Sequence, residues 1–93
     1  IIVITLEDKG CFTKINNEYK LIPSIKVKAV DTTGAGDIFH GAFTYFISNN
    51  YDLETTCRLA NITGALSTLK VGGRYSIPKL SAVLERSEEV DII

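Results

Sequence analysis

Apolar residues in the first thirty positions follow patterns that predict strands. Residues 1–4 form a continuous run of β-branched side chains, which is typical of a parallel strand buried on both faces. Residues 11–15 and 19–22 flank a pair of asparagines, and this arrangement predicts a hairpin. Apolar residues and lysines then alternate over 25–30, which predicts one more strand. That strand would run directly into a glycine-rich segment.

The second half of the chain has the spacing of helices. Apolar residues from 38 to 48 occur in pairs that repeat every four positions, which predicts a helix with one broad buried face. Asp52 can cap a second helix that extends to about residue 69. Two glycines then interrupt the pattern, and a third helix is predicted for residues 78–88. The order of strands followed by helices indicates an α/β fold and suggests the closing part of a larger sheet.

Composition narrows the class of protein. The 93 residues form one domain at most, and a chain of this size buries roughly 60–65% of the surface that its unfolded form exposes. Ten basic and 11 acidic residues give a formal net charge of −1, so no positive field attracts nucleic acid or an anionic membrane. No apolar run approaches the ~20 residues of a membrane span. We therefore expect a soluble protein with neither a nucleic acid nor a membrane as partner.

The cysteine content and the first residue add two expectations. Cys11 and Cys57 are too few for a disulfide scaffold, and neither has the spacing of a zinc site. We expect two reduced thiols in a cytoplasmic protein. The sequence begins with isoleucine and contains no methionine, so we expect a processed chain or a piece of a longer protein.

The segment DTTGAGD at residues 31–37 lies between a predicted strand and a predicted helix. Free backbone N–H groups and the positive end of a helix dipole point outward together at such a junction. Gly34 and Gly36 let the backbone approach a phosphate closely, and Ala35 adds little bulk. These amides can stabilise a phosphoryl group during its transfer. Asp37, in the first helical turn, is placed to orient an attacking hydroxyl group and accept its proton.

A simpler interpretation of the same segment needs no ligand. Asp31 or Thr33 would cap the helix, the glycines would form a tight turn, and Asp37 would be a favourable charge in the first turn. Other phosphate-binding motifs do not compete, because the P-loop pattern is absent and the glycine spacing does not match the dinucleotide-binding fingerprint.

Residues 31–37 and the following IFHGAF closely resemble the second signature of the PfkB (ribokinase-like) carbohydrate kinases. Residues 4–6 with Gly10 resemble the family's threonine-leucine-glycine turn, and residues 58–66 resemble its alanine-rich helix. The resemblance covers essentially all of residues 1–93, as the C-terminal nucleotide-binding and catalytic portion of one ribokinase-like domain. It implies part of a three-layer α/β/α fold with a small hairpin. The N-terminal part, with its sugar contacts, lid and magnesium-organising motif, would precede residue 1.

The resemblance implies phosphorylation by ATP, with Mg²⁺, of a hydroxyl group on a sugar or nucleoside. Asp37 would be the catalytic base, and Gly34, Ala35 and Gly36 would form the anion hole. Thr5 would lie near the nucleotide phosphates, and Asn61 near the adenine or ribose. Because the family's dimerising lid strands would precede this chain, the resemblance leaves a homodimer open.

Several members of the family bind a monovalent cation beside this loop, which would be K⁺. The corresponding positions here are Asp31 and Thr33, with Gly72 and Ser76 from a later loop.

One residue departs from the family's pattern. Glu7 stands where the family usually has glycine, so a charged side chain would lie near the expected path of the phosphates. A non-catalytic module derived from a kinase, which binds an anion or a partner protein through the same loop, is therefore the alternative function. A dinucleotide-dependent enzyme is disfavoured by the glycine spacing.

Overall fold

The computed structural model describes residues 1–71 and 77–91. The strands and helices in these ranges are β1 (Val3–Thr5), β2 (Cys11–Ile15), β3 (Glu18–Ile22), α1 (Ala35–Ser48), α2 (Leu53–Ser67) and α3 (Leu80–Asp91), with one 3₁₀ turn at Glu7–Lys9. The three helices follow the strands along the chain, as the sequence predicted, although three strands are present where four were predicted.

The strands form an antiparallel sheet in the order β1-β2-β3. Asn16 and Asn17 connect β2 to β3 with φ angles of 52° and 67°. Two-residue hairpin turns of this kind need positive φ at both positions, and asparagine tolerates that conformation better than most residues. The predicted hairpin is therefore confirmed.

One face of the hairpin packs on α2. Cys11, Ile22, Cys57 and Ala60 are buried in the same apolar cluster, together with Phe39 of α1. Cys11 and Cys57 are both free thiols. A hydrogen bond with Cys11, together with burial, raises the pKa of the Cys57 thiol far above its usual range. The Cys57 thiol is therefore neutral, and both cysteines belong to the core.

Helix α2 is the central helix of the described chain. Asp52 caps it, because its side-chain Oδ1 accepts a hydrogen bond of 2.8 Å from the backbone N–H of Thr55, as predicted. A second apolar cluster joins α2 to both neighbouring helices through Phe46, Leu59, Ile62 and Val83. The third predicted helix is thus confirmed, although it begins at Leu80.

Two strand predictions are wrong. The run at residues 1–4 contributes only to β1, which pairs antiparallel with β2, and Ile1, Ile2 and Ile4 are exposed. Ile4, Phe12 and Leu21 stand opposite one another across the three strands on this exposed face. An apolar run indicates a tendency to be buried, but the elements that would cover it are not specified by the run itself.

Residues 25–30 form no helix or strand, although their alternation predicted a strand. Both ends of this segment form hydrogen bonds with α2 and not with a neighbouring strand. At one end the Ser24 hydroxyl donates to the carbonyl oxygen of Asn61 at 3.3 Å. At the other end the N–H of Val30 donates to the carbonyl oxygen of Thr68 at 2.7 Å. Alternation predicts which side chains face inward, but it does not supply a strand partner.

Over the described residues, no helix has the length and apolar character needed to span a membrane.

Candidate active site

The glycine-rich segment begins at a fixed point on α2. The carbonyl oxygen of Thr68, the residue that ends this helix, accepts hydrogen bonds from the N–H groups of Val30 at 2.7 Å and Asp31 at 3.0 Å. The last carbonyl groups of a helix have no partner within the helix and are available for such bonds. The start of the segment is therefore anchored to the C-terminal end of α2.

Within the segment, Asp31 organises a turn and does not cap the helix. Its side-chain Oδ1 accepts a hydrogen bond of 2.9 Å from the N–H of Thr33. Gly34 is the residue that precedes α1, with a left-handed φ of 76° and no side-chain cap. The part of the simpler interpretation that makes Asp31 or Thr33 the helix cap is therefore wrong. Glycine suits this position because other residues adopt positive φ only at a cost.

Backbone N–H groups remain available around Gly34. The structure shows no acceptor within residues 1–71 and 77–91 for the N–H groups of Gly34, Gly36 and Asp37. The N–H of Ala35 already donates to the carbonyl oxygen of Thr32 at 3.2 Å. A side-chain carbon added at Gly34 or Gly36 would meet no atom within 4 Å. The predicted anion hole thus has open space and three available amides, of which one comes from Asp37 and none from Ala35.

Asp37 lies in the first turn of α1 and is exposed. In the part of the chain that the structure describes, its carboxylate has no ion-pair partner. It borders an open groove of about 610 Å³ that α1 shares with one residue of α2 and one that precedes α3. The residues that line this groove are Gly34, Asp37, Ile38, Gly41, Ala42, Thr63 and Ile77. Within the described residues, available amides and a carboxylate without an ion-pair partner therefore lie beside the same open space.

Asn61 occupies a different environment. It is 5% exposed on α2, and its side-chain Nδ2 donates to the carbonyl oxygen of Ile22 at 3.0 Å. The side chain thus ties the end of the hairpin to α2, and Asn61 does not line the groove that contains Asp37. Its predicted contact with adenine or ribose stays a prediction.

Thr5 lies at the end of β1, opposite Cys11, and is exposed. The loop after it is closed by a hydrogen bond of 2.8 Å from the N–H of Leu6 to the carbonyl oxygen of Gly10. A Cβ atom at Gly10 would overlap the carbonyl oxygen of Ile22, so this loop lies directly against the end of the hairpin. Glu7, within the loop, has a left-handed φ of 55°.

Comparison with known proteins identifies the family. A family model described as pfkB family carbohydrate kinase matches residues 1–80. This chain belongs to the pfkB family. The match confirms the resemblance that the glycine-rich segment carried, and it covers most of the chain.

The pfkB chain is similar to several ribokinases and fructokinases. It is 38% identical over 91 residues to the ribokinase of Lactococcus lactis, an alignment that covers 98% of this chain and 30% of that protein. The ribokinase structure from Thermotoga maritima matches with a TM-score of 0.86 and 37% identity over 92% of this chain and 29% of that one. A fructokinase double mutant from Vibrio cholerae matches with a TM-score of 0.81 and 31% identity over 89% of this chain and 29% of that one.

These matches confirm the predicted ribokinase-like α/β fold. The chain spans about 30% of the length of these relatives.

The backbone at Glu7 gives a physical reason for the glycine that the pfkB resemblance leads one to expect there. A left-handed conformation costs a non-glycine residue about 1–2 kcal/mol. The exposed side chain of Glu7 makes no contact that offsets this cost within the described residues. Glu7 is thus a site of backbone strain.

Replacement of Glu7 by glycine should therefore stabilise the protein. We expect Glu7→Gly to raise the free energy of unfolding by about 0.5–1 kcal/mol, because relief of strain exceeds the entropy of about 0.4–1 kcal/mol that glycine adds to the unfolded chain. Urea denaturation measures the change. Asp8→Gly is the matched control: Asp8 is exposed in the same turn without positive φ, so it should lose stability. Equal losses in both variants would contradict the assignment of strain to Glu7.

The structure brings together only some of the predicted site residues. Gly34 and Asp37 border the groove, with Gly36 in the same turn. Asp31 and Thr33 lie in the preceding turn. Gly72 and Ser76 lie outside the described residues.

Two residues that the sequence analysis did not single out also line the groove or support the segment. Thr63 lines the groove, and Thr68 anchors the segment through its carbonyl group. No pattern in the sequence singled out either residue.

Proposed function

We propose that this chain is the C-terminal nucleotide-binding and catalytic portion of a longer kinase, which transfers a phosphoryl group from ATP to a hydroxyl group of a sugar or nucleoside. The observation that carries the proposal is the set of available N–H groups at Gly34, Gly36 and Asp37 beside the exposed Asp37 carboxylate. Membership of the pfkB family supports it.

The amides would stabilise the phosphoryl group during transfer. Charge spreads over the equatorial oxygen atoms of this group in the transition state, and preorganised N–H donors directed at developing charge lower the barrier. The first turn of α1 supplies such donors together with the positive end of the helix dipole. The open space over Gly34 and Gly36 fits an oxyanion that approaches the backbone closely.

Asp37 would act as the catalytic base. A carboxylate without an ion-pair partner can hydrogen-bond the acceptor hydroxyl, orient it, and take its proton as the new bond forms. The acceptor hydroxyl must meet the carboxylate while the amides hold the phosphoryl group, so the two must lie side by side. Asp37 is in the same helical turn as these amides, which supports the proposal.

ATP and Mg²⁺ are the proposed nucleotide and metal. The structure of a putative ribokinase II from E. coli, 26% identical with a TM-score of 0.86 over 94% of this chain and 28% of that one, contains ATP and Mg²⁺. Mg²⁺ usually keeps several waters and binds through substrate phosphates and one or two carboxylates. Among the described residues that line the groove, Asp37 is the one carboxylate. Thr5 and Asn61 are the further nucleotide contacts that we propose.

A K⁺ site is proposed beside the glycine-rich segment. The Vibrio cholerae fructokinase structure contains fructose, ADP and a potassium ion. Asp31 and Thr33 supply oxygen atoms from one tight turn, and oxygen ligands suit a hard cation. Gly72 and Ser76 would complete the set.

The test is a phosphorylation assay on the full-length protein. ADP formation from MgATP is measured with ribose, deoxyribose, fructose, a 2-keto-3-deoxy sugar acid and nucleosides as acceptors. Inosine belongs in the panel because a Burkholderia thailandensis nucleoside kinase, 30% identical with a TM-score of 0.84 over 94% of this chain and 30% of that one, binds it. We expect ADP formation that depends on one acceptor. A folded protein that binds ATP without acceptor-dependent turnover would instead support the non-catalytic alternative.

A further inference from the structure

Helix α2 contacts the glycine-rich segment at two points. At the start of the segment, the carbonyl oxygen of Thr68 accepts the N–H groups of Val30 and Asp31. At its end, the carbonyl oxygen of Ala35 lies over Gly64. Residues 64 and 68 are four positions apart and therefore share one face of the helix. The segment thus contacts α2 at two places, one just before α1 and one at the first turn of α1.

The contact at Gly64 leaves little room. A Cβ atom at this position would lie 3.5 Å from the carbonyl oxygen of Ala35 and 3.8 Å from the Cβ of Phe39. These are ordinary van der Waals separations, so a single methyl group fits. A β-branched side chain adds two γ atoms beyond the methyl, and we expect at least one of them to press on Ala35 or Phe39 or to force a disfavoured rotamer. Gly64 is therefore a point of direct contact between α2 and that turn.

The C-terminal end of α2 is a firm support for this contact. The Ser67 hydroxyl donates to the carbonyl oxygen of Gly64 at 2.6 Å, and the Thr68 hydroxyl donates to that of Ala65 at 2.6 Å. Both side chains are buried. The Ser67 hydroxyl pairs a carbonyl group near the helix end, and the Thr68 hydroxyl adds a second donor to the Ala65 oxygen, which also accepts the N–H of Thr68 at 3.1 Å. Thr68 can therefore present its own carbonyl oxygen to the segment.

We propose that Gly64 is a positioning residue: the absence of a side chain there sets the height of the first turn of α1, and with it the amides of Gly36 and Asp37 and the Asp37 carboxylate. The inference rests on the proposed kinase function, because it concerns the geometry of that site. Gly64 itself does not line the groove, so it acts through Ala35 and Phe39. A displacement of about 1 Å at a reacting group can cost about 10²-fold in rate.

The experiment compares Gly64→Ala and Gly64→Val in the full-length kinase. Gly64→Ala should keep kcat within about twofold, since one methyl fits at ordinary contact distance. Gly64→Val should lower kcat by about 10- to 100-fold at saturating ATP and acceptor. Each variant is assayed well below its melting temperature, with the folded fraction determined by circular dichroism. Asp37→Asn is assayed in parallel.

Ala82→Val controls for the addition of a β-branched residue to a helix, because Ala82 is exposed on α3 and does not line the groove. It should leave kcat unchanged. A purely structural role for Gly64 would lower the melting temperature of Gly64→Val but leave kcat per folded molecule at the wild-type value, and that result would overturn the proposal. If Asp37→Asn also turned over normally, the kinase assignment of this site would fail as well. The two failures are thus distinguishable.

Discussion

Asp37→Asn in the full-length protein should lower kcat for the proposed phosphoryl transfer by about 10²- to 10⁴-fold, the usual contribution of a positioned general base. Asparagine retains the size of the side chain and its place in the first turn of α1, but it cannot accept the proton of the acceptor hydroxyl. The backbone N–H of residue 37 is unchanged, so the KM for ATP should stay nearly constant. Steady-state kinetics with ATP and acceptor varied separately measure both parameters. A large fall in kcat alone is the pattern expected for an interaction made only in the transition state.

Asp52→Asn is the matched control for this prediction. Asp52 is also an exposed aspartate at the beginning of a helix, where it caps α2 through the N–H of Thr55. Asparagine caps a helix about as well as aspartate, so stability and kcat should both be retained. Unchanged turnover in Asp37→Asn, or an equal fall in both variants, would contradict the role of Asp37 as catalytic base.

Local signals in the sequence predicted much of the fold. The Asn16-Asn17 pair indicated the hairpin because it tolerates positive φ at both turn positions. Asp52 indicated the start of α2 because its side chain can accept an N–H within the first turn. In each case the deciding interaction joins residues that are at most three positions apart. Such interactions can be predicted without knowledge of the rest of the chain.

The wrong strand predictions depended on distant partners. Residues 25–29 alternate as a strand would, yet the bonds at either end of the segment lead to Asn61 and Thr68. Ile4 is as apolar as a core residue but is 52% exposed. Alternation and hydropathy describe what a residue prefers, whereas the tertiary contacts decide whether a partner is present.

The candidate site shows the same difference between local signals and contacts with distant residues. The positions of Gly34 and Asp37 follow from a strand–glycine–helix junction, which the sequence displays directly. The hydrogen bond from the Asn61 side chain to the carbonyl oxygen of Ile22 could not be anticipated, because it joins residues 39 positions apart. The hydrogen bond from the Ala35 amide to Thr32 is local, but the sequence does not show which N–H group of the turn makes it. The sequence therefore predicted the kind of site, but it did not predict which N–H groups already donate to an acceptor within the protein.

Gly34 is the position at which backbone conformation and proposed chemistry coincide. Its φ of 76° lies in the left-handed region, where a β-branched residue is strongly disfavoured. The space over it is open, since a Cβ atom there would meet nothing within 4 Å. A large side chain at this position would thus strain the turn without a clash, and it would stand where the phosphoryl group is proposed to approach.

Gly34→Val should therefore reduce both the stability and the proposed kinase activity of the full-length protein. We expect the free energy of unfolding to fall by about 1–3 kcal/mol from backbone strain, and kcat/KM for ATP to fall by about 10²- to 10³-fold, as on loss of an oxyanion donor. Gly36→Ala distinguishes backbone strain from the mere addition of a side chain, because position 36 is equally open but has no positive φ. Its stability should rise by up to about 1 kcal/mol. Wild-type kcat/KM in folded Gly34→Val would show that the phosphoryl group does not approach this turn.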